Sequence, residues 1–438
     1  MKSRMLPYLT AIALLAVPGV AVRLVAQNEP SKQSPRYIVI RLGTLAGTVS
    51  GGNSINNLGW ITGSSDLAGN QVQHAALWTY GLTIDLGTLG GPNSAVAWPN
   101  HNNQGAIAGI AETAAMDQYG EDWSCSAFFP FPPTHHVCYG FVWSWGQKIP
   151  MPTLGGDNSY AAGMNNRGQV VGWAETAVHD STCVLPQVLQ FEGVIWTPGN
   201  NQLQVLPPLG GDPDSAATEI NDQGQAVGIS GICQNAVGDL SAKNAVIWEN
   251  GAPTKIGNLG GSGWNTAAAI NNQGVVVGFS DLTGDDNGNN FNAHAFIWTK
   301  QTGIHDLHTL AGDTISEATG INDQNQIVGL SCVDNTFANC SAVLWQNGVI
   351  TDLNHLVVNN SSLHLYYAND INSFGVIAGQ AIDTNTGDAY AFLGVPLGDH
   401  DSSALLPSSV KGTTSSSRSI TLPEDVRQQL LRRMGLRP

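Results

Sequence analysis

Apolar and polar residues alternate along most of this chain in short runs, and each run is stopped by Asn, Gly or Pro. Such alternation predicts half-buried β-strands, and no stretch of useful length repeats at the helical period before the C-terminal tail. The runs recur in a fixed order. A phrase of the form I-N-x-x-G-x-h-x-G, with h apolar, stands at Ile55–Gly63, His101–Gly109, Met164–Gly172, Ile220–Gly228, Ile270–Gly278, Ile321–Gly329 and Ile371–Gly379. Its closing glycines are 46, 63, 56, 50, 51 and 50 residues apart. A period near fifty residues means one supersecondary unit copied many times.

Each unit carries four apolar stretches, here named a to d. Strand a ends at the Asn of I-N-x-x-G, b runs into the closing Gly, c ends on Trp, and d is read as the D-L-G-x-L segment, such as Asp85–Leu89. Asn-Gly turns between short β-rich runs predict antiparallel pairing. Six units have a d segment after c, whereas the last c stretch, Tyr390–Leu393, has none. An orphan copy, Tyr37–Leu45, opens the domain instead. Supplied to the last sheet, it would close a ring and remove exposed edges. The expected fold is therefore all-β: a seven-bladed β-propeller over residues 36–398, closed by its N-terminal strand. An open solenoid would leave the orphan strand unexplained.

The phrases D-L-G-T-L-G-G (Asp85–Gly91), I-N-N-x-G-x-V-V-G (Ile270–Gly278) and H-A-F-I-W (His294–Trp298) resemble the HAF-type extracellular repeat family across about Tyr37–Gly398. The resemblance implies an exported bacterial propeller-like protein and carries no reaction or catalytic residues. The His of H-A-F is present only at His74 and His294, which argues against a ligand role for it. Kelch propellers share the period but place their glycines differently.

Residues 1–26 read as an export signal: Lys2 and Arg4 precede the apolar run Thr10–Val17, with small residues for cleavage after Ala21 or Ala26. That run is short for a bilayer span, although a retained anchor is the alternative. The implied location is periplasmic or extracellular. Between Leu42 and Gly398 there are 5 basic and 28 acidic residues, a charge near −23. So acidic a surface repels phosphate backbones, which excludes nucleic acid as a partner class and leaves cations and neutral ligands open.

With antiparallel strands, the a–b and c–d turns share one face and the long, dissimilar b–c loops share the other. All six cysteines lie in b–c loops, and an even count in an exported chain suggests three disulfides: Cys125–Cys138, Cys183–Cys233 and Cys332–Cys340. Variable loops on a rigid ring are where binding residues collect. The richest, Ile110–Tyr139, offers Tyr119, Trp123, Phe128, Phe129, Phe131, His135 and His136 as a ligand-stacking surface, or else as a satellite core packing the loop onto the ring. Glu112, Glu175 and Asp281 stand at equivalent loop bases and would line the channel mouth. Asp281, Asp285, Asp286, Asn287 and Asn289 form an oxygen-rich cluster suited to calcium, although the order of an EF-hand is missing.

The repeated Asn residues read as turn chemistry and the repeated Trp residues as packing. No catalytic set stands out. The expectation is thus a monomeric, non-catalytic binding propeller that recognises a protein or a glycan through its loop face. The alternative is a propeller hydrolase or lyase with channel-mouth carboxylates and calcium. Residues 399–420 read as a Ser-rich linker. Residues 421–436 read as a short amphipathic helix with Leu422, Val426, Leu430 and Met434 on one face, free to dock on the acidic ring or to stand in solvent.

Overall fold

A computed structural model describes residues 35–121, 123–199, 202–234, 236, 238–284, 291–397, 420–433 and 436. The expected export signal, the linker and most of the oxygen-rich cluster lie outside these residues. The regular structure of the described residues is nearly all β. Five sheets each have four antiparallel strands taken from consecutive stretches of sequence, as in Thr266–Ile270, Val276–Asp281, Ala293–Thr299 and Gly303–Asp306. Three further strands at the end of the repeats, Leu363–Ile371, Ile377–Asp383 and Ala389–Leu397, pair in order, and Arg36–Arg41 is antiparallel to the last of them. A single parallel pair, Val49 with Ala389, joins this set to the four strands that begin at Ala46.

One strand assignment is corrected. Strand d is not the D-L-G-x-L phrase but the segment before it, as in Leu82–Asp85 and Gly303–Asp306. Gly87 has φ of +65°, a left-handed conformation that no strand can continue, so the phrase connects one sheet to the next. The Asp85 carboxylate accepts the Gly87 N–H and fixes that turn.

The motif asparagines do more than make turns. Within its own unit Asn271 Oδ1 accepts the N–H groups of Gln273 and Val275. Its Nδ2 donates to the carbonyl of Asn322 in the following unit, 3.1 Å away. The same bond runs from Asn56 to Asn102, Asn102 to Asn165, Asn165 to Asn221, Asn221 to Asn271, Asn322 to Asn372, and from Asn372 back to Asn56. One side chain thus satisfies a turn and a neighbouring repeat together. Asn271→Ala should remove the partner of three backbone groups, two of them buried, at about 1–3 kcal/mol for the best sequestered. Urea unfolding checks this, and a loss under about 0.5 kcal/mol would mean water replaces the bonds.

Tryptophans of strand c reach the connector before their own sheet: Trp78 Nε1 donates to the carbonyl of Gly43, Trp248 to Pro207 and Trp345 to Leu307. Their inter-repeat packing agrees with the sequence reading. All three expected disulfides are present, and no described helix is long and apolar enough to cross a membrane. Three disulfides fit folding in an oxidising compartment.

The tail is docked. Helix α2 (Glu424–Arg433), the second after the short α1 (Trp123–Phe128) of the richest loop, buries Leu422, Val426, Leu430 and Leu431. They pack with Phe279, Phe291, Phe337 and Tyr367 from the b–c end of the sheets, and α2 also packs against α1. The Leu422 N–H donates to the carbonyl of Ala338 and anchors the approach. Met434, expected on the same face, lies outside the described residues.

Candidate active site

The inner strands bring together residues that the repeat pattern does not require. At the tight-turn end a cavity is lined by the motif residues, among them Ile55, Ile220, Ile270 and Ile371, by the Asn circuit, and by His101. His101 replaces the apolar residue that opens the phrase in every other unit. Its Nδ1 lies 2.7 Å from Glu219 Oε1 and its Nε2 lies 3.1 Å from Asp370 Oδ1. These carboxylates precede the motif in two other units, where the remaining units carry Ser54, Asn100, Gly163, Ala269 and Gly320. Burial alone would lower the imidazole, but the two carboxylates outweigh it and hold it well above its ordinary range, while burial raises Glu219. Both carboxylates also accept backbone N–H groups, Glu219 from Ile270 and Asp370 from Ile55. The trio is a brace linking three units, with both imidazole nitrogens close to carboxylate oxygens.

At the loop end lies a second set. Glu317, on Ile315–Ile321, is fully buried, and Tyr367, on Leu363–Ile371, donates its hydroxyl to Glu317 Oε2 at 3.3 Å. The other carboxyl oxygen, Oε1, has no hydrogen-bond partner. Burial pushes the Glu317 carboxyl up to about 8, against the opposing pull of the Tyr367 hydroxyl and of Arg433. Burial, and then the nearby Glu317, hold the Tyr367 phenol well above its usual value. A carboxyl that keeps its proton at neutral pH can donate one to a leaving group. Glu317 and Tyr367 occupy the same place in neighbouring units, four residues before the motif; Gly51, Ala97 and Ala216 occupy it in others.

Arg433 at the end of α2 completes the arrangement. It acts electrostatically on Glu317 and Tyr367, and its guanidinium lies 3.4 Å from Asn53 Oδ1. Arg433, Asn53, Trp98, Thr319, Tyr367 and Asn369 line one cavity of about 40 Å³, into which α1 contributes Phe128. A water needs about 10–15 Å³, so this space takes a few waters and no substrate while α2 is seated. Trp98 Nε1, also buried without a partner, is a natural contact for one of them.

The residues singled out from sequence are dispersed. Phe128 and Phe129 are buried in a cluster with Cys125, Cys138 and Tyr160, which makes them the satellite core and corrects their place in a stacking surface. Phe131 and Tyr119 are exposed, Tyr119 with its ring edge-on to His179. The side chain of Trp123 is outside the described residues. His136 Nδ1 bonds the carbonyl of Thr113 in a strand and His135 Nδ1 that of Gly120 in the loop, so the adjacent histidines point to different segments.

Glu112, Glu175 and Asp281 are all buried. Each is engaged within its own repeat: Glu112 accepts from Asn93, Glu175 from Asn158, and Asp281 from Asn292. They pin strand a or the loop beside it. Burial and the adjacent Glu121 push Glu175 up to about 9. Asp285, Asp286, Asn287 and Asn289 lie outside the described residues.

No protein-family model matches the chain, and no curated protein matches it either. Solved structures do. An oligogalacturonate lyase in complex with manganese aligns at 9% identity with a TM-score of 0.46, over 83% of this chain and 96% of that one. The acylaminoacyl peptidase of Pyrococcus horikoshii aligns at 9% identity and 0.42, over 84% of this chain and 52% of that one. The sialidase of Trypanosoma rangeli aligns at 7% identity and 0.34, over 82% of this chain and 54% of that one. The chain spans about half the length of the peptidases it matches. The expectation of a non-catalytic binding propeller finds no counterpart among these matches, which are a lyase, a peptidase and a sialidase. The loop face is also not an open recognition surface, because α2 sits on it. What the structure carries is a nearly all-β fold of four-stranded antiparallel sheets with propeller-like neighbours.

Proposed function

We propose that the chain is an exported hydrolase or lyase whose site lies in the channel of a closed, seven-bladed β-propeller of the HAF-type repeat kind. In this reading the set Arg36–Arg41 is the fourth strand of the seventh blade, and the Asn circuit ties the blades at the tight-turn end. Glu317 is the proton donor. Tyr367 orients its carboxyl, and Arg433 supplies positive charge for an anion that develops during bond cleavage. The single observation that carries the proposal is Glu317: fully buried, with its carboxyl pushed up to about 8, one oxygen left without a hydrogen-bond partner, and the other held by Tyr367, which lines a small cavity under α2. Glu317 is the one carboxyl at this position, where the other repeats carry Gly51, Ala97, Tyr160, Ala216, Thr266 and Tyr367. Helix α2 is the roof of the site, and turnover requires it to lift.

The test is a screen of the mature chain on chromogenic glycosides, aminoacyl anilides, and neutral and uronate polysaccharides. Release of chromophore or new reducing ends reports hydrolysis, and the absorbance of an unsaturated uronate reports elimination. Glu317→Gln should lower kcat by about 10²–10⁴-fold with KM little changed, the range for loss of a general acid. Full activity of this variant, or no turnover of any class by the wild type and by a form with α2 undocked, would end the proposal.

A further inference from the structure

We propose that His294, Asp306 and His308 form a binding site for a divalent transition-metal ion of the zinc type. His294 lies in strand Ala293–Thr299, Asp306 ends strand Gly303–Asp306, and His308 stands two residues beyond. His294 Nδ1 is 2.9 Å and His308 Nδ1 is 3.1 Å from the same oxygen, Asp306 Oδ2. One ligand atom from each residue falls within 4.8 Å of the others. Two imidazoles and a carboxylate suit Zn²⁺, Ni²⁺ or Co²⁺, whereas Ca²⁺ and Mg²⁺ prefer oxygen throughout.

The first repeat shows which part of this arrangement is structural. There His74 Nδ1 is 2.9 Å from Asp85 Oδ1, and Asp85 Oδ1 accepts the Gly87 N–H at 2.6 Å. In the fifth repeat His294 pairs with Asp306 in the same way, and Asp306 Oδ1 accepts the His308 N–H, again at 2.6 Å. The His–Asp pair and its turn are thus fold chemistry. The second imidazole is the addition. Gly87 has φ of +65° and His308 has +59°, so a side chain sits where glycine is the unstrained choice. The fold gains nothing from that side chain in packing, since His308 is 76% exposed. A strained, exposed residue that brings a second nitrogen to a half-buried His–Asp pair is accounted for by a ligand. The ion sits between the two imidazole Nδ1 atoms and the Asp306 carboxylate, and its outward positions are open to water.

The experiment uses the untagged full chain and Zn²⁺ as its sulfate, with isothermal titration calorimetry and native mass spectrometry. One equivalent should bind with a micromolar or tighter Kd. His308→Gly, which restores the glycine of the first repeat, should weaken binding by more than about tenfold, because it removes a ligand rather than an outer partner. The same variant without metal should melt no lower than the wild type, so failure to fold cannot explain the loss. Asp306→Asn should bind as weakly. Absence of binding by the wild type, equal affinity in His308→Gly, or displacement of Zn²⁺ by equimolar Ca²⁺ would each overturn the proposal.

Discussion

Between pH 5 and pH 9 the melting temperature should fall by roughly 10 °C or more, because buried carboxyls in this fold hold their protons too tightly to be neutral bystanders. Burial pushes Glu317 up to about 8; burial and Glu121 push Glu175 up to about 9. Burial raises Asp214 to about 8, and burial with Asp425 of α2 raises Asp66 to about 7. All have folded values above those of the unfolded chain, so the folded state binds more protons through this window. Their contribution is fully present below pH 4 and is lost as pH rises through 7 to 9. His101, also raised, acts in the same direction. The lowered carboxylates Glu249, Asp306, Asp383 and Glu424 act only below about pH 5, where protonation removes what they contribute, so they do not offset the fall in this window. Glu317→Gln removes one ionisation and should melt several degrees higher than the wild type at pH 8.5 while matching it at pH 5. A profile that rises from pH 5 to pH 9, or a Gln variant with unchanged slope, would show that these carboxyls are solvated in solution.

Leu430→Asp should undock α2. Leu430 is buried among Phe279, Phe291, Phe337 and Tyr367. Truncating such a side chain costs about 2–5 kcal/mol, and an unpaired carboxylate adds a desolvation cost of similar size. Four docked apolar side chains are worth about 1.5–3 kcal/mol each before the ordering of the segment is subtracted. One charged substitution is therefore enough to release the helix. The readouts are increased ANS fluorescence from the uncovered aromatics and protection lost in hydrogen exchange across 420–433. If α2 is the roof of the site, activity towards large substrates rises as stability falls. Unchanged exchange protection would mean that the helix is held by its polar contacts, such as Arg427 with Glu424 and with the Thr336 carbonyl.

What could be read beforehand was whatever the chain repeats. The period located the strands, cysteines paired within a loop or between equivalent neighbouring loops located the disulfides, and the orphan Tyr37–Leu45 segment located a partner for the last sheet. Strand d was misplaced because Asp-Leu-Gly looks regular in sequence, while the glycine's φ ends the strand. The Asn circuit was half legible: the local turn follows from residue type, but the bond to the next unit depends on how repeats stack. Glu317 and Tyr367 were missed for the same reason. They are 50 residues apart and meet only because equivalent positions of adjacent repeats become neighbours. The usable signal was a departure from the consensus, since His101, Glu219, Asp370 and Glu317 put titratable groups where most other units carry uncharged residues. Arg433 gave no such signal, because its site exists only once α2 is seated.

The pairing of Arg36–Arg41 with Ala389–Leu397 has a consequence for how the molecule is made. Among the described strands, the first to leave a ribosome or a secretion channel has no strand partner until the last one follows it. Contacts between chain ends are slow to form because a long loop must close first. The edge left waiting is the kind that pairs with other chains. Completion of the last sheet should therefore be a late folding event, and truncation of the first strand should promote aggregation of a nearly finished protein rather than simply prevent its folding.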